Sequence, residues 1–139
     1  MMQGALHIAA IAPVLVMAAG VGGCAPPPEL AENPDLVPVY QGADVLILDE
    51  GLVNVQVTVQ DARRAVDVTD YARCVMAGHA RRHGYRYARH LRTNLEVDKT
   101  RQWLGDAIYA LSRARPDGLE IMKTAEVVRE CRNNGIPLV

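Results

Sequence analysis

HARRHGYRYARHLRTN, residues 79–94, is where the apolar pattern of this chain changes period, and that change decides the fold class. Upstream, Tyr71, Cys74, Val75 and Gly78 fall at i, i+3, i+4 and i+7, one stripe of a helix. Downstream of Gly84 the period is two. Tyr85, Tyr87, Arg89, Leu91, Thr93, Leu95 and Val97 take one face of a strand; Arg86, Ala88, His90, Arg92, Asn94 and Glu96 take the other. Gly84 stands where a C′ glycine ends a helix, with cations in the turn before it. The stretch therefore predicts a helix, capped by Asp67, Thr69 or Asp70 and ending near His83, that runs straight into a long strand.

Towards the N-terminus, Val53, Val55, Val57 and Val59 alternate with Asn54, Gln56, Thr58 and Gln60. Alternation with β-branched residues predicts a strand with valines on the core and amides facing water or a partner. The apolar run Val45–Leu48 and the turn Asp49-Glu50-Gly51 make it half of a hairpin. Towards the C-terminus, a turn at 98–100 leads to a strand over 103–113, and Arg115-Pro116-Asp117-Gly118 is a turn. Residues 119–124 read as a short strand before a helix over 125–133, or as the start of that helix. Asn134, Gly135, Ile136 and Pro137 then stop the chain's last helix. The order β-β-α-β-β-(β)-α predicts an α+β fold, an antiparallel sheet of four or five strands with two helices packed on one face.

The first 23 residues contain no Asp, Glu, Lys or Arg, and residues 5–19 are almost wholly apolar, the length of a signal-peptide core. Small residues follow, then Val21-Gly22-Gly23-Cys24. This resembles the lipobox of bacterial lipoprotein precursors. With the Gly84-Tyr85 junction it also makes the chain similar to small alphaproteobacterial lipoproteins of unknown function. The resemblance implies cleavage before Cys24, acylation of Cys24, and attachment to a bilayer by two or three acyl chains, enough for stable anchoring. Ala25, rather than Asp, after the cysteine implies the outer membrane, facing the periplasm. The resemblance brings no activity with it. It departs from the pattern in having only the amino terminus and His7 as cations in its first residues.

On this reading residues 1–23 are a signal peptide. Residues 24–38 are the lipid attachment site and a tether, whose segment 25–38 has five prolines. Residues 39–139 form a single small domain. With Cys24 assigned to lipid, Cys74 and Cys131 remain, and an even remainder in an exported protein reads as a disulfide. The alternative is two buried thiols packed as small apolar groups. A bridge closing so long a loop contributes about 4 kcal/mol in the chain-entropy model.

The formal net charge is −1, which argues against a dedicated nucleic-acid binder. Nine of sixteen acids precede residue 71, while thirteen of fifteen Lys and Arg follow it. His79 and His83 are the candidate metal ligands, since i and i+4 imidazoles share a helix face. No acid flanks them and five arginines surround them, so no metal site and no cofactor is expected. Arg86, His90 and Arg92, two residues apart or more on one predicted face, could offer a basic stripe to an anionic envelope component or another envelope protein. Arg89 points inward on this register, which requires either a carboxylate such as Asp106 or a bulge that shifts the register. The sequence has no Gly-x-Ser-x-Gly and a single serine, Ser112. The expectation is a non-catalytic, membrane-anchored envelope lipoprotein with an interaction or structural role. The alternative is a periplasmic sensor domain for a ligand, anion or metal.

Overall fold

The computed structural model describes residues 32–139. The lipobox, Cys24 and the first half of the tether lie outside the described residues. Two strands, β1 (Val39–Asp49) and β2 (Leu52–Gln60), form the hairpin that the valine alternation predicts. Helix α1 (Ala65–Arg82) follows, then β3 (Tyr87–Val97), β4 (Gln102–Ser112), the short β5 (Ile121–Lys123) and α2 (Thr124–Asn133). The strands make one antiparallel sheet, order β1-β2-β4-β3-β5, with α1 across one face and α2 against α1. The fold is α+β, as the element order predicts. Among the described residues no helix is long and apolar enough to cross a membrane.

The core lies between sheet and helices because the alternation puts the valines of β2 and the aromatic side chains of β4 there. Val53, Val55, Val57 and Val59 of β2 face α1, beside Trp103, Ala107, Tyr109 and Leu111 of β4. From α1 come Val68, Tyr71, Ala72, Val75 and Met76, and from α2 Val127 and Val128. Burial pushes the Tyr109 phenol up to about 12. Cys74 and Cys131 are bonded to each other, 57 residues apart, and tie α1 to α2.

Two local details differ from the sequence reading. Helix α1 begins at Ala65, so Asp67 lies inside its first turn and is not the cap. The Asp67 carboxylate instead accepts the Arg63 backbone N–H at 2.9 Å and both arms of the Arg63 guanidinium at 2.9 and 3.1 Å. An acid there both satisfies a free N–H and meets the positive end of the helix. At the other end, Gly84 takes φ +78°, Tyr85 N–H reaches Ala80 O and Gly84 N–H reaches Arg81 O. Helix α2 ends the same way, with Gly135 at φ +67° and Ile136 N–H on Cys131 O. Both endings are Schellman motifs, in which a left-handed glycine lets the chain turn back onto the last carbonyls.

The second difference is a bulge in β3. Ala88 pairs with Leu111 and His90 with Tyr109, but the next partner, Ile108, belongs to Arg92. Leu91 is the extra residue, and past it every side chain changes face. Ala88 and His90, then Thr93, Leu95 and Val97, lie on the helix side; Tyr87, Arg89, Arg92, Asn94 and Glu96 lie on the other.

Candidate functional site

Because α1 and α2 take one side, the other side of the sheet has no layer over it among the described residues. Its side chains fall into rows across the strands, set by the register. One row is Asp44, Gln56, Asp106, Asn94, on β1, β2, β4 and β3 in turn. The neighbouring row is Gly42, Thr58, Leu104, Glu96. Four strands at about 4.8 Å spacing make each row about 14 Å long.

These two rows, with Gln41 and Gln102 at one end, line a trough of about 630 Å³. Gly42 in its lining has no side chain to fill it, which keeps its floor low at the β1 end. Its polar groups are carboxylates (Asp44, Asp106, Glu96), amides (Gln41, Gln56, Asn94, Gln102) and the Thr58 hydroxyl. It contains no lysine, arginine, histidine or cysteine. None of its three carboxylates is in an ion pair among the described residues. Two contacts stiffen it: the buried Asn54 amide donates to Asp106 at 2.7 Å, and Gln102 donates to Gln41 at 3.1 Å. At its β3–β4 end Asp98 accepts from Thr100 Oγ1, Thr100 N–H and Gln102 N–H, which holds its carboxyl below the usual range. Such a surface can present many donors and acceptors to a ligand, and its fixed charge favours neutral or cationic groups over anions.

Beyond these rows the same face turns apolar, with Leu46, Asn54, Ile108 and Arg92 in one row and Leu52, Ala110 and Arg89 in the next. Of the trough's lining, the sequence shows Gln56 and Thr58 on the outer face of β2 and Asn94 and Glu96 on the outer face of β3. The contribution of β1 and β4 was not legible, nor was the meeting of these residues, since that depends on which strands become neighbours.

The predicted basic stripe is not a stripe. His90 sits on the helix side, its ring 5.3 Å from that of Tyr109 and its Nε2 2.7 Å from Thr93 Oγ1. Arg92 is on the open face, and Arg86 precedes β3, with Nε donating to Arg113 O at 3.0 Å. The bulge at Leu91 separates them. It also accounts for Arg89, which pairs with Ala110 on the open face and donates to Asp117 O. Asp106, its expected partner, is engaged by Asn54. Several of these arginines thus bond backbone carbonyls: Arg82 likewise donates to Val139 O at 2.7 Å.

His79 and His83 stack with ring centroids 4.1 Å apart, beside a cleft of about 150 Å³ that Glu50, Tyr85 and Arg113 also line. His83 Nδ1 lies 2.8 Å from His79 O. Burial first, then His83 and Arg82, lower the pKa of His79. Among the described residues no three His, Cys, Asp or Glu are grouped to hold a metal ion. The sequence reading missed Thr124, which is fully buried and bonds Tyr85 O through its hydroxyl and Arg86 O through its N–H. It fastens the start of α2 to the Gly84 turn.

Residues 40–135, from the start of β1 to the glycine ending α2, match the YNQ4 C-terminal domain family. The chain is also 33% identical over 104 residues to a Paracoccus denitrificans protein described as an uncharacterized 26.9 kDa protein in the nqo8 5′ region. That match covers 70% of this chain and 40% of the relative, so the chain spans about two-fifths of that protein's length. No solved structure gives a significant match. On the extent of the family match, which takes in every strand and both helices, the chain belongs to the YNQ4 C-terminal domain family.

Proposed function

We propose that this protein is a lipoprotein of the bacterial envelope, anchored through Cys24 in the outer membrane, whose periplasmic domain binds a partner and catalyses nothing. The observation that carries the binding role is the trough: one wholly polar row and one mixed row across four strands, on a sheet face that α1 and α2 do not cover. Its carboxylates and amides suit a hydrogen-bonding, neutral or cationic segment of another envelope protein. They do not suit an anionic component. The lipobox sequence Val21-Gly22-Gly23-Cys24 supports the anchor, and the bond between two buried cysteines fits an oxidising compartment.

Two measurements test the two halves of this reading. Membrane fractionation of the Cys24→Ala chain is expected to move the protein from membrane to soluble fractions; unchanged fractionation removes the anchor. Recovery of partners from envelope extracts is expected to fall by about tenfold for Asp44→Ala/Gln56→Ala, the loss of about 1.4 kcal/mol of binding. An Arg86→Ala/Arg92→Ala chain should recover partners as the wild type does. The reverse pattern would move the binding surface off the trough.

A further inference from the structure

The two edges of the sheet are finished differently. On one side β5 pairs with Tyr87–Arg89, and the remainder of the β3 edge carries a bulge and the charges of Arg92 and Glu96. On the other side β1 has no outer neighbour among the described residues. It holds no lysine, arginine or proline, and its only charges are Asp44 and Asp49. Among the described residues, four of the ten large hydrophobic side chains that stay exposed lie on it: Val39, Leu46, Ile47 (67%) and Leu48. A strand edge with unpaired N–H and C=O groups and apolar side chains on both faces is a template for another strand, and monomeric proteins usually blunt it with charge, proline or a cover.

We propose that β1 pairs antiparallel with β1 of a second copy, about a two-fold axis through Leu46, joining the two sheets into one. The apolar side chains of the strand suit a second copy of it, and its charges select the register. Between the bulges at Tyr40/Gly42 and Ile47/Asp49, residues Gly42–Ile47 keep a regular register with β2. In a two-fold antiparallel pair, residues equally far on either side of the axis face each other. An axis through Asp44 would set two carboxylates opposite each other, and one through Ile47 would set Asp44 against Glu50; both are disfavoured. An axis through Val45 leaves Ile47 against Ala43. The axis through Leu46 sets Leu46 against itself and Val45 against Ile47 twice, covering the most exposed of the strand's large apolar side chains with a β-branched partner. It places Asp44 opposite Leu48, with no acid directly across from it. The strand is thus self-complementary, and its acids leave that match intact.

The side chains concerned are exposed, so substitutions there leave the core untouched. Either kind of antiparallel pair brings the two Leu46 Cα atoms to about 4.5 or 5.5 Å, within reach of a disulfide. Full-length chain carrying Leu46→Cys, oxidised in the envelope, is expected to run as a dimer on non-reducing gels and as a monomer after reduction. Asn94→Cys, on the opposite part of the sheet, should give about tenfold less dimer or lower still, since its thiols meet only by collision. Adding Ile47→Lys to the Leu46→Cys chain should abolish the dimer band while circular dichroism and the Cys74–Cys131 bond stay as in the parent. No more dimer from Leu46→Cys than from Asn94→Cys, or a dimer indifferent to Ile47→Lys, overturns the proposal. Neither result depends on what occupies the trough.

Discussion

Gly105 sets the distance between two layers by having no side chain. It lies on the helix side of β4, between Val57 and Leu95, and a Cβ there would come within 2.9 Å of Val57 Cγ2 and Val68 Cγ1. Val68 belongs to α1, so the helix rests against this strand at the one position where nothing projects. Gly105→Ala is expected to cost about 1–3 kcal/mol, the usual penalty for overpacking a core, because both neighbours are β-branched and cannot swing aside. Thermal unfolding would show a midpoint lower by several degrees, roughly 4–8 °C per kcal/mol in a domain of this size. Gly42→Ala meets nothing within 4 Å and serves as the control. Equal midpoints for the two variants would mean that α1 can back away freely. Leu91 is the other single residue with a large consequence. Strict alternation reads Arg89 as inward; the bulge turns it and Tyr87 to the open face while returning Leu95 and Val97 to the core. The odd environment assigned to Arg89 was the only sign of that bulge in the sequence.

At the scale of elements, each helix is stopped by a signal written locally, Gly84 or Gly135, and these were legible because the left-handed turn is a property of the glycine itself. The start of α1 was not, since Arg64 provides no side-chain cap and Asp67 works from inside the first turn. What joins the helices is the bridge between Cys74 and Cys131, both at 1% exposure or less. A closed loop of that length restricts the unfolded chain more than a short one would. Cys74→Ser/Cys131→Ser is expected to lose about 2–5 kcal/mol, part from the crosslink and part from hydroxyls buried among apolar groups. Urea unfolding with and without reductant separates the two parts. If reduced wild type keeps the oxidised midpoint, packing alone holds α2 to α1.

For the whole molecule, the charge asymmetry along the chain does not map onto the surface in a simple way. The trough takes Asp44 from the acidic first half, but Glu96 and Asp106 from the basic second half. Several cations that looked free in sequence are tied to carbonyls of the 113–118 loop and the C-terminal residue. The proposed dimer and the proposed ligand both use the open sheet and its β1 edge, yet they rest on different residues, Leu46 and Ile47 against Asp44 and Gln56. The sequence by itself determined the four long strands, the two helices and the helices' C-terminal ends, because periods of two and 3.6 and the left-handed glycine are local consequences of backbone geometry. Only the tertiary structure decided the strand order, the bulge at Leu91 and hence the make-up of the trough. Those depend on how residues far apart in the chain pack around one core, and no local pattern carries that information.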